Sequence, residues 1–552
     1  MRTKHYQMKH ITRPSFGLTL SIALVVAACA TSQGATRPNI VIIMSDDMGW
    51  GDLGCYGGEI RTPNLDKLAS KGLRFTQFYN TGRCCPTRAA LMTGLYSHQA
   101  GVGHMTTDRG YDSYRGELNQ RCVTIAEVLR PAGYSTYGVG KWHLSLNTKD
   151  EGEKYDWPLQ RGFDHHYGVI SGASHYFQAK NLERDNSSFT WDTDPEYKPE
   201  RFYLTDAFTD HAVKYVNDHA REQKERPFFL YLAYTAAHWP IHAFEEDVDA
   251  YNGVYDAGYE AIRLARREKQ IKLGLTDSHW TLSPTVGEWE KFPAQKWESR
   301  MMQAYAAMVT RMDAGIGKLV TTLEKNGQLD NTIIMFLQDN GACAEPVAHE
   351  DAASYEKNPG APDTYLGYGK NWANVGNTPF RYYKHYEHEG GISTPLIVHW
   401  PKGIPASQHN QLVRDPGHLI DLMPTCVEVA GAKYPSKFNG IKIQPLEGVS
   451  LKPTFAGKSL RRKSPIFFEH EGNRAVRDGK WKLVSSFKPN DGAWELYEME
   501  TDRTEMHDLS ATNPAKAKGL AKQWDQWSKR VGVQPWPIKP LNNTNHPGPK
   551  GE

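Results

Sequence analysis

The chain of 552 residues has almost no net charge: 65 Lys and Arg stand against 63 Asp and Glu, a formal +2. That balance leaves no case for nucleic acid or for broad electrostatic binding to membranes, so partners must be argued from sites. Cysteine is sparse, with seven in all, and Cys55, Cys85, Cys122, Cys343 and Cys426 have no dense or regular spacing, which excludes a disulfide framework. The N-terminal apolar stretch from Phe16 to Ala28 stops at 13 residues, short of the ~20 needed to span a bilayer as a helix. There is no internal repeat, coiled coil or low-complexity block. Aromatics are plentiful, 15 Trp and 28 Tyr, in a chain long enough for a large core and more than one domain.

Arg2, Lys4, Lys9 and Arg13 precede or flank the apolar stretch, and no acid occurs before Asp46, the pattern of an exported signal peptide. Val26-Ala27-Ala28-Cys29 resembles a bacterial lipobox, which implies an acylated Cys29, a tether from Thr31 to Arg37, and anchorage to the outer membrane. Cleavage near Ala30 or Ala35 is the alternative and would leave a free periplasmic or secreted protein. Residues 1–36 are set apart from the fold on either route.

Cys84-Cys85-Pro86-Thr87-Arg88, continued by Ala89-Ala90-Leu91-Met92-Thr93-Gly94, combines a potential nucleophile, a turn and a fixed cation. Pro86 presets its own φ and disfavours helix geometry at Cys85, so a helix is expected just beyond, with Cys84 at a loop-to-helix junction. Backbone N–H groups there would face an anion, and Arg88 can lean back one helical turn toward Cys84. Two apolar runs, Asn39 to Met44 and Thr332 to Leu337, read as buried strands that end on Asp46-Asp47 and on Asp339-Asn340. Those four side chains form an oxygen-only set, suited to a hard divalent ion rather than zinc. Lys141 and His143, two residues apart in Gly138 to Leu144, would project to one side of an extended backbone. His238 follows a third apolar run, Pro227 to Tyr234, and Lys384 precedes Glu389-Gly390-Gly391.

These segments, in this order, resemble the type I sulfatases, whose signature C-x-P-x-R-x-x-x-[LM]-T-G is met at every defining position from Cys84 to Gly94. The resemblance implies an alkaline-phosphatase-like α/β fold and hydrolysis of sulfate monoesters, closest in kind to bacterial arylsulfatases through Asn371-Trp372-Ala373-Asn374 and Asn377 to Arg381. It implies oxidation of Cys84 to formylglycine by a maturation enzyme, and a hydrated aldehyde that attacks sulfur. The covalent route splits one hard step into two easier ones. The metal set becomes Asp46, Asp47, Asp339, Asn340 and the converted Cys84, holding one Ca²⁺ with Mg²⁺ as alternative. Arg88, Lys141 and Lys384 would hold sulfate, His143 take the second diol proton, and His238 contact sulfate or the leaving oxygen. The substrate would be a small aryl sulfate or a sulfated saccharide. Rivals are a phosphonate or phosphate monoester hydrolase, disfavoured by Asn340, and an inactive lipid-anchored glycan-binding protein, disfavoured because every catalytic position is present.

Strands alternate with helical patterns from Asn39 to about Val449, the signature of a mostly parallel sheet, which gives a catalytic domain over 37–455. Met301 to Leu323 carries a helical core stripe. A charged insertion near 243–296, with Arg263, Arg266, Arg267, Glu268 and Lys269, either shapes the leaving-group pocket or is a solvated helical face. From Lys463 short strands with an Asp478-Gly479 turn, then a helix from Pro514, form a smaller α+β subdomain over 456–541. Residues 542–552 read as a disordered tail.

Overall fold

Strand β1 (Asn39–Ser45) divides its side chains between two cores: Val41 and Ile43 enter one hydrophobic cluster, Ile40, Ile42 and Met44 the other. A strand buried on both faces needs cover on both, as in a parallel α/β sheet. The other strands in chain order are β2 (Leu73–Tyr79), β3 (Ser135–Lys141), β4 (His165–Val169), β5 (Leu182–Arg184), β6 (Ser187–Phe189), β7 (Phe228–Ala233), β8 (Thr332–Gln338), β9 (Ser393–His399), β10 (Gln411–Val413) and β11 (Gly417–His418). They form an 11-stranded sheet ordered β10-β2-β9-β8-β1-β7-β3-β4-β5-β6, with β11 also on β2. Pairing is parallel from β8 through β4, while β9 runs antiparallel to both β2 and β8.

The computed structural model describes residues 37–349 and 351–541, with 1–5, 7, 8 and 10 at the N-terminus. The chain divides into two compact units, Met1–Thr36 and Arg37–Glu552. The signal-peptide stretch, Cys29 and the tail 542–552 lie outside the described residues. Among the described residues no helix is long and apolar enough to cross a membrane, and Cys55, Cys84, Cys85, Cys122, Cys343 and Cys426 are free thiols.

Helices Leu204–Glu222 and Gln295–Lys325 cover one face; the second buries Met301, Met302, Tyr305, Met308, Met312, Ile316 and Leu319, the expected core stripe. Helices Cys84–Thr93 and Leu422–Ala430 cover the other. A short hairpin, β12 (Lys437–Phe438) and β13 (Ile441–Lys442), precedes the antiparallel sheet of β14 (Ile466–His470), β15 (Asn473–Asp478), β16 (Trp481–Ser485) and β17 (Glu495–Glu498). Gly479 holds φ 58° in the tight β15–β16 turn, the conformation the Asp-Gly pair supplies cheaply. Val476, Leu483 and Leu496 of this sheet share a core with Trp524 and Trp527 of helix Pro514–Val531 and with the main sheet. Glu389 ties the two sheets together: its carboxylate meets Lys482 (2.9 Å) and Arg503 (2.8 Å), all three buried.

The charged insertion is more than a solvated face. Arg266 on helix Gly258–Lys272 is buried between Asp52 (2.7 Å) and Glu59 (2.7 Å), clamping the loop after β1, while Glu268 and Lys272 on the same helix face solvent.

Candidate active site

The sheet register brings the two acidic pairs level. Ser45 pairs with Gln338, so Asp46 and Asp47 leave β1 beside Asp339 and Asn340 leaving β8. In open α/β sheets this carboxyl edge is where ligands bind. Lys141 is the last residue of β3, His238 follows β7, and Cys84 opens the helix after β2. Because β9 is antiparallel, its N-terminal end lies at the same edge, which brings Lys384 there as well. All the sequence-predicted site residues therefore meet in one buried place.

Each of three cations holds a different carboxylate. Lys141 Nζ donates to Asp46 Oδ2 at 2.6 Å, Arg88 Nη2 to Asp339 Oδ2 at 2.8 Å, and Lys384 Nζ lies 3.0 Å from Asp47 Oδ1. Arg88 also donates to the Lys141 carbonyl (3.0 Å), locking β3 to the helix of Cys84. His238 Nδ1 donates to Trp239 O (2.6 Å), leaving Nε2 3.6 Å from Asp47 Oδ2. Burial pushes Asp339 well up, with Asp46 adding to the rise, and pushes Asp46 up against the pull of Lys141. Burial would raise Asp47 too, but Lys384 and His238 outweigh it and hold that carboxyl low.

Cys84 lies in the first helical turn. A hydrogen bond with Cys85, then Lys141 and His143, holds its thiol well below the usual range against burial. Burial pushes His143 down to about 4, so the ring is neutral near pH 7, and its Nδ1 has no partner among the described residues. Two local expectations need correction. The helix starts at Cys84, not beyond Cys85, because Pro86 falls in the first turn, where a missing N–H costs nothing. His143 lies past the end of β3 with φ 55°, not on an extended backbone; its N–H bonds Ile170 O, and Gly172 lies so close that a Cβ there would sit 2.3 Å from His143 Cε1.

The residues fit a hard divalent cation. Asp46 Oδ1 and Asn340 Oδ1 are buried with no hydrogen-bond partner, and the amide of Asn340 already reaches Asp47 Oδ1 through Nδ2 (2.6 Å). Turning that amide over would present its oxygen at the same place. Asp46 and Asp47 also lie with His238 close enough to share one ion. With three carboxylates met by three cations, a divalent ion would leave the site electropositive, ready for an anion.

Sequence reasoning missed a neighbouring group. Glu345 accepts from Trp239 Nε1 (2.6 Å) and lies 3.5 Å from Lys384 Nζ, and Tyr231 Oη is 3.5 Å from Arg88 Nη1. Glu345 is six residues beyond Asp339 on the loop leaving β8, the only local hint it offers; Tyr231 sits inside the apolar run Pro227 to Tyr234, whose pattern marks it only as part of a strand.

Residues 38–432 match the family model described as Sulfatase, and 379–529 match N-sulphoglucosamine sulphohydrolase, C-terminal. An uncharacterized sulfatase of Schizosaccharomyces pombe is 32% identical, over 90% of this chain and 94% of that one. An arylsulfatase of Klebsiella aerogenes is also 32% identical, over 81% of this chain and 98% of its own. The crystal structure of Ps i-CgsB in complex with k-i-k-neocarrahexaose superposes with TM-score 0.65 at 28% identity, covering 89% of this chain and 93% of that one. With the Cys84 signature, the three cation–carboxylate pairs and these matches in agreement, the chain belongs to the type I, formylglycine-dependent sulfatase family and is related to bacterial arylsulfatases.

Proposed function

We propose that the protein hydrolyses sulfate monoesters in the manner of an arylsulfatase, after a maturation enzyme has converted Cys84 to formylglycine. The observation that carries this reading is the placement of Cys84 among Lys141, His143 and the Arg88–Asp339 pair at the sheet edge. Asp46, Asp47, Asp339, Asn340 and residue 84 would hold one Ca²⁺, with Mg²⁺ as alternative; such an ion polarises a nucleophile and a sulfate oxygen.

The chain's own residues supply the rest. Arg88, Lys141 and Lys384 present fixed positive charge where negative charge spreads over the sulfuryl oxygens in the transition state. His143, neutral and lying against Cys84, would take a proton from residue 84. His238 and Lys384, both against Asp47, would supply the proton that a leaving oxygen needs. Burial of the whole set excludes bulk water and strengthens each of these interactions.

A sulfated saccharide is the second reading for the substrate, supported by the oligosaccharide in the Ps i-CgsB complex. A phosphonate or phosphate ester is the reading that Asn340 stands against. Export, with either a lipid on Cys29 or a free periplasmic form, is part of the same proposal. The test is mass spectrometry of the peptide carrying residue 84 from the native host, together with rates on nitrophenyl sulfate and nitrophenyl phosphate. An aldehyde at position 84 and faster sulfate release support the assignment; an unconverted thiol with faster phosphate release overturns it.

A further inference from the structure

A cavity of about 410 Å³ opens beside Lys384, within the range of small-ligand pockets, about 300–1,000 Å³. Glu345, His385, Glu471, Tyr383, Phe487 and Trp536 line it, and none of its lining comes from the insertion at 243–296. Its floor is a network of polar contacts around two carboxylates, in which His104 and His470 also meet Glu471 and Trp239 meets Glu345. Arg83, the residue before Cys84, donates to Glu471 Oε1 (2.9 Å) and Glu345 Oε1 (3.3 Å). The two ring nitrogens of His385 face Glu471 Oε2 (2.8 Å) and Glu345 Oε1 (3.1 Å). His385 and Glu471 hold φ of 83° and 53°, a backbone cost that proteins tend to retain at ligand sites.

This arrangement has a chemical preference. The Glu345 and Glu471 side chains are 19% and 21% exposed, and while three of the four carboxylate oxygens each meet two or more donors, Glu471 Oε2, which meets His385 at 2.8 Å, keeps room for a hydroxyl donor. The fixed cations of the floor are already engaged with carboxylates: Arg83 with both glutamates and Lys384 with Asp47 and Glu345, while the His385 ring lies between both glutamates. Lys488 stands at the exposed rim. A second sulfate or carboxylate on the ligand would meet ionised glutamates on the floor. The walls of Tyr383, Phe487 and Trp536 suit the C–H surface of a ring, and Trp536 is held in place against His104, ring centroids 5.0 Å apart.

We propose that this cavity receives the alcohol part of the ester and selects a neutral, hydroxyl-bearing ring, a saccharide with a single sulfate, over one carrying a second anionic group. This inference rests on the sulfate-ester reading of the site. The experiment measures kcat/KM of the matured enzyme on nitrophenyl sulfate, on a monosulfated disaccharide with no other charged group and on its disulfated counterpart, for wild type, Glu471→Gln and Trp536→Ala. Wild type should favour the monosulfated disaccharide about tenfold or more. Both variants should lose about tenfold more on that disaccharide than on nitrophenyl sulfate, chiefly through KM. Equal losses on the two substrates, or a preference for the disulfated compound, overturn the proposal. If no sulfate ester reacts at all, the sulfate-ester reading fails, and calorimetric titration with the unsulfated disaccharide reads the cavity alone. Binding by wild type that weakens about tenfold in Trp536→Ala supports it; no binding by wild type overturns it. Thermal melting of Trp536→Ala, whose side chain lies outside the polar floor, separates a lost contact from a lost fold.

Discussion

Arg88 Nη2 lies 2.8 Å from Asp339 Oδ2, a fully buried ion pair between residues 251 positions apart. It fastens the helix of Cys84 to the end of β8 and fixes one oxygen of a carboxylate that Asp46 crowds and whose other oxygen accepts from the Asp47 backbone N–H (3.3 Å). Removing one partner of a buried pair generally costs about 3–5 kcal/mol.

Asp339→Asn keeps the shape but gives up the charge. Turnover of aryl sulfate should fall by about two orders of magnitude or more, and elemental analysis should show bound divalent metal falling below one per chain. Two zinc ions in the wild-type protein, or normal turnover by the variant, would count against the oxygen-ligand site.

His143→Ala should stop the reaction after sulfur transfer, because the residue is assigned to the later proton removal. Radiolabelled sulfate should then remain with the chain after denaturation. Cys84→Ser should behave alike, since a serine can attack but has no second hydroxyl to eliminate. Gly172→Ala should give a milder form of the defect, as its methyl group must displace the His143 ring. Loss of activity in His143→Ala with no retained label would assign the histidine another role.

Leaving-group protonation separates the two basic groups on Asp47. Aryl leaving groups are weakly basic and need little help, whereas a sugar alkoxide needs a proton. His238→Ala and Lys384→Ala should therefore lose far more rate on a sulfated sugar than on nitrophenyl sulfate. The same factor on both substrates would remove this role from both residues.

Asp156 supplies a pH test away from the chemistry. Ser145 Oγ donates to its Oδ1 (2.6 Å), Oδ2 has no partner among the described residues, and burial pushes the carboxyl up to about 7. The unfolded chain ionises this group near its ordinary value of 3.8, so it costs stability progressively as pH rises from 3.8 to about 7. Asp156→Asn should raise the melting temperature at pH 8, by a free energy on the order of 2–4 kcal/mol, and lose the advantage near pH 4. A variant no more stable at pH 8 than wild type would show that the carboxyl is not held protonated.

The constellation at the sheet edge was legible in the sequence because each part is local. Asp46-Asp47 and Asp339-Asn340 follow directly on apolar strands, Lys141 ends another, and a parallel register sets such strand ends side by side. The same locality misled at two points. Helix rules moved the start past Cys85, although first-turn N–H groups need no acceptor, and strand periodicity was carried on to His143, whose backbone is turned by the Ile170 hydrogen bond and the close approach of Gly172.

The amino-acid sequence by itself determined the α/β class, the order of the catalytic segments and the identity of the nucleophile position. Only the tertiary structure decided what surrounds them. Arg83, Glu345, His385, Glu471 and Trp536 come from separate stretches of chain with no shared periodicity or motif, and they meet because the C-terminal sheet folds back onto the edge of the main one. Contacts between distant segments depend on how buried surfaces fit together, and a linear pattern records each surface without recording which partner it meets.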